Sequence, residues 1–206
     1  KLLQLDANVT GTPIGCSSNC DGTALASPIG GTAPYQVLWN PPTPSADSLG
    51  LTGLCIGNYF VTVTDTNNCI DTATYTVTAP PPLNVILDST NVTCNGDCDG
   101  TGTATPSGGT LPYTYLWVGS GLTPADTNST VNNLCPGIYT VTVLDSNNCS
   151  FTGSIIITEP LTINDNDTVT NANCGVNDGS IVVSPSGGTG PYSHSWNTGN
   201  PADTNS

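Results

Sequence analysis

Basic residues are almost missing from this chain. It has one Lys (Lys1) and no Arg in 206 residues, against 15 acidic residues, for a net charge of −14. A nucleic-acid surface needs clustered Lys and Arg, so that partner class is excluded. Adhesion to an anionic membrane is disfavoured on the same ground. Charged residues of both signs make up only 8 % of the chain, Met is absent, and Glu159 is the one Glu. With Glu, Lys, Arg, Gln and Met so scarce, stable helices have little to form from. No run of about 18 apolar residues occurs, so nothing in the sequence reads as a membrane-spanning helix. A single His, His194, leaves little for imidazole chemistry.

What is present points to strands and turns. Thr, Val, Ile and Tyr fill the patterned stretches and suit half-buried strands. Gly, Pro, Asn, Asp and Ser fill the gaps between them. Nine cysteines in a chain this poor in His suggest disulfides and an oxidising, extracellular compartment. No leader-like stretch is visible at Lys1, so the expectation is a mature or internal segment.

The chain repeats itself. Cys20–Trp39, "CDGTALASPIGGTAPYQVLW", returns 78 residues later as Cys98–Trp117, "CDGTGTATPSGGTLPYTYLW". It returns again 79 residues on as Asn177–Trp196, "NDGSIVVSPSGGTGPYSHSW". The second half of the unit, "CIGNYFVTVTDTNNC" from Cys55 to Cys69, recurs 80 residues later as "CPGIYTVTVLDSNNC" from Cys135 to Cys149. The expected domains are therefore 1–80, 81–160 and 161–206, the last holding only the N-terminal half of a repeat, whose remaining strands would come from a longer chain. "TAPPPL" and "TEPLT" mark the junctions as short, Pro-stiffened linkers.

Repeat two reads as a series of short strands over 83–88, 102–106, 113–117, 129–134, 138–144 and 154–158. The loop "VGSGLTPADTN" has room for a further short strand. Alternation in 138–144 places Tyr139, Val141 and Val143 on one face. Seven short strands punctuated by turn signals predict an all-β immunoglobulin-like sandwich, repeated in a tandem linear array. "LCPGIY" fits the corner before the sixth strand, where a Tyr hydroxyl, from Tyr59 or Tyr139, bonds back to the backbone.

The pattern "DG(T/S)…SGGT-PY…W…L-PG-YTVTV-D-NNC…ITEP" closely resembles the SprB-type repeat of Bacteroidetes surface adhesins, a relative of PKD domains. It departs from PKD proper, which carries W-D-F-G-D-G, because "VGSG" follows Trp117. The resemblance implies a very large cell-surface protein exported by the type IX system, in some members a gliding-motility adhesin. Its implied partners are neighbouring repeats of the same chain, other surface proteins or polysaccharide. A polysaccharide-binding array and an accessory region of a secreted enzyme stay open as alternatives.

Candidate sites are few. Nucleophilic catalysis needs a base beside the nucleophile, and His194 alternates with Ser193 and Ser195 in what reads as a strand. Nearly every Asp sits in a turn phrase, where its carboxylate serves the local backbone. The chain is therefore not expected to be an enzyme. Trp39, Trp117 and Trp196 occupy equivalent positions and suit a sandwich core better than a sugar platform. Asp21, Asp97, Asp99 and Asp178 could offer oxygens to calcium, but the dense acidic loop that calcium prefers is missing. No cofactor is expected. Asp–Ser/Thr pairs at Ser48, Thr72, Ser89 and Thr168 resemble the Bacteroidetes O-glycosylation signal. Asn91 opens an Asn-x-Thr phrase that matters only in a eukaryotic secretory pathway.

The cysteines pose the sharpest question. Cys98 opens the second strand and Cys135 the sixth, at one pole of the sandwich. This pairs Cys98 with Cys135 and Cys20 with Cys55. Cys149 lies at the other pole, about 30 Å away along a nine-residue strand, whereas a cystine needs Cα atoms within about 7 Å. Two pairings stay open. One is a bond between repeats, Cys16–Cys149. The other is a pair of bonds within repeats, Cys16–Cys69 and Cys94–Cys149, if the first strand folds back.

Overall fold

The computed structural model describes residues 3–41, 48–122 and 126–196, and among them every element is a strand. Repeat one contributes β1 (Val9–Thr12), β2 (Gly22–Ala26), β3 (Gln36–Asn40), β4 (Gly50–Leu54), β5 (Gly57–Thr64) and β6 (Ile70–Val77). Repeat two contributes β7 (Asn84–Thr90), β8 (Gly100–Ser107), β9 (Thr114–Gly119), β10 (Thr130–Leu134), β11 (Gly137–Leu144) and β12 (Ser150–Ile157). A last pair, β13 (Asp167–Thr170) and β14 (Ser180–Val183), follows.

Each full repeat builds two three-stranded sheets. Their orders are β1-β2-β4 and β3-β5-β6 in the first, β7-β8-β10 and β9-β11-β12 in the second. The second strand thus pairs with the first and the fourth, and the fifth with the third and the sixth. This is the immunoglobulin-like arrangement, two sheets with side chains alternating between core and solvent. Six strands are described per full repeat rather than seven. In repeat two β9 runs on to Gly119, and the described residues of the loop after it form no strand.

By compactness the chain divides into two units. The first holds 1–86, 106–115 and 142–151; the second holds 87–105, 116–141 and 152–206. The core of the first gathers Trp39, Val61, Val63, Leu51, Leu54 and Val77 from both sheets of repeat one. The register explains the burial: Val61 faces Trp39 and Val63 faces Val37 across β3 and β5, while Phe60 and Leu38 on the opposite face are exposed. In the second unit Trp117, Tyr139, Val141, Leu134 and Ile157 are buried in the same pattern. Trp117 is 0 % exposed and donates its indole N–H to Asn128 O at 3.0 Å, which satisfies its one polar group.

The "GGT-PY" phrase is a built turn. Gly108 and Gly109 have φ of 71° and 59°, a region in which L side chains are strained. A Cβ on Gly108 would also lie 2.1 Å from Pro82 O. Tyr113 closes the turn by donating to Gly108 O at 2.5 Å. Tyr35 and Tyr192 do the same to Gly30 O and Gly187 O. The segment 191–196, read from sequence as a strand carrying His194, forms none. Its counterparts β3 and β9 are held by β5 and β11, and residues 161–206 contain no third copy of the "YTVTV" stretch to pair with it.

Candidate functional site

The chemistry that distinguishes this chain lies in its cysteine-bearing turns. The turn between β11 and β12 is organised by Asp145, which is 4 % exposed. One of its carboxylate oxygens accepts the N–H groups of Asn147 and Cys149, both at 2.9 Å, and the other accepts Thr110 N–H at 2.8 Å. Three backbone donors thus converge on one buried carboxylate. Asn148 sits at φ 62°, a conformation Asn tolerates better than most residues. Asp65 builds the same turn between β5 and β6. It accepts from Asn67 N–H at 2.9 Å, Cys69 N–H at 2.8 Å and Thr32 N–H at 3.0 Å. The amide of Cys69, followed by those of Thr32 and Asn67, holds the Asp65 carboxyl below the ordinary range.

A second kind of turn precedes each "DG". Gly15 N–H donates to Asp21 at 2.8 Å, Thr93 N–H to Asp99 at 2.9 Å and Asn173 N–H to Asp178 at 2.7 Å. Each of these residues stands immediately before a cysteine: Cys16, Cys94 or Cys174. The Thr93 hydroxyl first, then its amide, lowers the Asp99 carboxyl. The Asn173 amide first, then its side chain, lowers that of Asp178.

The two kinds of turn meet. Cys16 is bonded to Cys149 across 133 residues, with Cα atoms 5.6 Å apart. Beside the bond, Asn147 Nδ2 donates to Gly15 O at 3.0 Å and to Thr110 Oγ1 at 3.1 Å. The other bonds are Cys20–Cys55 and Cys98–Cys135. Cys69, Cys94 and Cys174 are free and exposed, so neither Cys16–Cys69 nor Cys94–Cys149 forms in this structure. Asn147 carries no motif of its own among the candidate residues. The signal for it is the doubled Asn of "TDTNNC" and "LDSNNC".

The remaining candidates are scattered. Tyr139 Oη lies 2.8 Å from Cys135 O and 3.1 Å from Ser120 O, and Tyr59 donates to Cys55 O at 3.1 Å. Thr72, Ser89 and Thr168 are exposed on β6, β7 and β13. Ser48 is half-buried and donates its hydroxyl to Gly50 O at 2.5 Å; its neighbour Asp47 lies outside the described residues. Among the described residues no three His, Cys, Asp or Glu side chains gather as a metal site. Trp39, at 1 % exposed, and Trp117 are core, and Trp196 is half-buried.

Several solved structures are similar at low identity. A 282-residue C-terminal fragment of intimin, in complex with the intimin-binding domain of its translocated receptor, aligns over 81 % of this chain and 67 % of its own, at 16 % identity and TM-score 0.42. A Dscam structure on isoform specificity aligns over 77 % of this chain and 46 % of its own, at 14 % identity and TM-score 0.37. Domains 1–6 of the surface layer protein SbsC align over 89 % and 37 %, at 14 % identity and TM-score 0.37. The chain thus spans about half of the Dscam structure and little more than a third of the SbsC one. No curated protein matches. The SprB repeat family matches residues 86–122 and 166–201, two stretches that each hold the Asp–Gly phrase and the Gly-Gly-Thr turn, with Trp117 in the first and Trp196 in the second: over these stretches the chain is similar to SprB repeats.

Proposed function

We propose that this chain is a stalk segment of a large, secreted, repeat-containing cell-surface adhesin, with gliding motility the finest reading of its role. The SprB match supports the coarser statement, a repeat-containing structural protein of the cell surface. One observation carries the rest: the chemistry of the chain recurs with the repeat. The Asp-centred turns, the tryptophans and most of the cysteines return at intervals of 78–80 residues, whereas a catalytic or ligand site normally interrupts such a pattern. The Cys16–Cys149 bond joins the first repeat to the end of the second, and a covalent tie of this kind suits a load-bearing array exported to an oxidising space.

In this reading the sandwiches at 1–80 and 81–160 and the half-repeat at 161–206 are links in a series. They need neither catalysis nor a cofactor. Partners are neighbouring repeats and, at sites outside this chain, other surface proteins or polysaccharide. O-glycans on exposed Thr72, Ser89 and Thr168 would shield the strands. Against the carbohydrate-binding alternative, Trp39 and Trp117 are buried, and Trp196 alone of the three is half-exposed.

Surface labelling tests the proposal. An antibody to residues 81–160 should stain intact cells of the source organism, and brief protease treatment of those cells should release long fragments of repeating composition. Staining only after permeabilisation would overturn it. A catalytic domain on the same released polypeptide would favour the accessory-region reading.

A further inference from the structure

Asn95–Gly96 is the chain's one Asn–Gly pair. Asp97 N–H donates to Cys94 O at 3.2 Å, which makes Asn95 and Gly96 the central residues of a turn. Gly96 has a φ of 85°, the conformation that some turns take from Gly at their third position. Both residues are exposed, and a Cβ on Gly96 would meet nothing within 4 Å. Two bonds tie the pair to the Pro-bearing junction that ends repeat two. Asn95 Nδ2 donates to Pro160 O at 3.0 Å, and Gly96 N–H donates to a carboxylate oxygen of Glu159, the chain's only Glu, at 2.8 Å. In repeat one the equivalent turn is closed by Asn19 N–H on Cys16 O at 2.9 Å. Ser17, Ser18 and Ala79 stand there in place of Asn95, Gly96 and Glu159. Ser17 and Ser18 are exposed although Cys16 is bonded, so this position stays open to water beside a joined cysteine.

We propose that Asn95 is a deamidation site held in check by Glu159 and Pro160. In the reaction Gly96 N attacks Asn95 Cγ, and the bond from Cγ to Nδ2 breaks. The Nδ2 nitrogen leaves as ammonia, taking the proton that Gly96 N gives up. One water then opens the succinimide to Asp or isoAsp, and nothing is oxidised or reduced. The atoms this chemistry uses are the atoms the junction holds: Glu159 occupies the N–H of the nucleophile, and Pro160 O occupies the leaving amide. Conversion therefore proceeds from the molecules in which the turn has opened away from the junction. Its product cannot restore the tie. A carboxylate at position 95 has no N–H for Pro160 O and sets a second acid beside Glu159. The change is one-way, and the equivalent turn of repeat one, with Ser17 and Ser18, lacks it. The inference goes beyond the stalk reading and stands on residues 94–97 and 159–160 alone, so either can fail without the other.

The test ages the purified chain at neutral pH and follows residue 95 by peptide mass mapping, with Asp and isoAsp separated by chromatography. Glu159→Ala puts in place the residue that repeat one already carries there, so the fold should tolerate it. This variant should convert at least about threefold faster than the parent, which is the net worth of one lost hydrogen bond. Glu159→Gln, whose amide oxygen still accepts, should fall between the two. In denaturant the parent and both variants should convert at one common, faster rate. Amide hydrogen exchange at Gly96 should rise in Glu159→Ala and in Asn95→Asp alike, while β8 and β12 stay protected. A folded parent that converts as fast as the denatured chain would overturn the proposal. So would an unchanged rate in Glu159→Ala. A slower rate in that variant would overturn it as well, by making Glu159 the base that removes the Gly96 proton rather than the group that holds it.

Discussion

Trp117 and Trp196 stand at the same place in the same phrase, yet one is fully buried and the other half-exposed. The local geometry around them is alike. Gly108 and Gly109 have φ of 71° and 59°, Gly187 and Gly188 have 78° and 58°, and a Tyr hydroxyl closes each turn. The difference is what lies across from them. Trp117 has Tyr139 and Val141 buried alongside it in the second unit's core; 161–206 contains no equivalent stretch. The first half of the repeat therefore writes its turns by itself, whereas its burial depends on strands encoded later. The strand pair β13–β14 shows the same dependence: it forms, but seven of its eight residues are exposed.

The comparison can be broken most directly at the indoles. Trp117→Ala should cost about 3–5 kcal/mol, as deletion of a buried large aromatic does, read from the denaturant midpoint of the main unfolding transition. Trp196→Ala should leave that midpoint within about 0.5 kcal/mol, because surface substitutions rarely do more. Comparable losses in the two variants would mean that Trp196 is packed after all.

The next effect concerns cystines. Repeat two bonds Cys98 to Cys135, and Asn177 stands where repeat three would have the matching cysteine. Replacing both Cys98 and Cys135 by Ser should lower stability by about 2–4 kcal/mol, the usual worth of a native bond. Non-reducing peptide mapping of the parent chain should recover Cys16–Cys149 joined, and Cys69, Cys94 and Cys174 as thiols. A Cys94–Cys149 peptide would show that the in-repeat pairing prevails in solution.

Much of this was legible in the sequence, and the boundary is physical. Period-two alternation marked β11, and the Tyr139 corner followed from "LCPGIY". The polar spacing of Cys149 ruled out a partner in the same undistorted sandwich. What stayed hidden was nonlocal. Asp145 reads as one more turn residue, because its bond to Thr110 spans 35 positions. The segment around His194 carries strand-like alternation, but a strand exists only where a partner pairs with it.

Acid titration sharpens the comparison at the level of single turns. Asp99 in repeat two and Asp178 in repeat three are both lowered from 3.8 by donors one turn away, Thr93 and Asn173. A carboxyl whose folded value is depressed contributes stability that is present above its unfolded value and is lost as pH falls through the folded value. Both turns should thus persist to below the ordinary carboxylate range, despite the different burial of their tryptophans. Carboxyl chemical shifts followed against pH would check this. If Asp178 alone titrated at its ordinary value, the half-repeat would lack the turn in solution.

The smallest expected effect is that of calcium, and it bears on the same acids. Asp21, Asp99 and Asp178 already spend carboxylate oxygens on backbone donors: Gly15, Thr93 and Asn173. Asp99 also accepts the Thr93 hydroxyl at 2.6 Å, and Asp178 the Asn173 amide nitrogen at 2.6 Å. Calcium asks for six or more oxygens arranged around one point, whereas the turns of Asp21 and Asp178 each offer one carboxylate that is already engaged, and that of Asp99 adds only Asp97. The bond from Asp to the residue before the cysteine is common to repeats two and three, so a calcium effect on it should reach both. The expectation is that melting curves with millimolar calcium and with chelator superimpose, and that the 93–99 and 173–178 amide resonances do not move between the two conditions. A fall of several degrees on chelation, with shifts confined to those amides, would make the Asp turns ion sites and would require oxygens that the present geometry does not bring together.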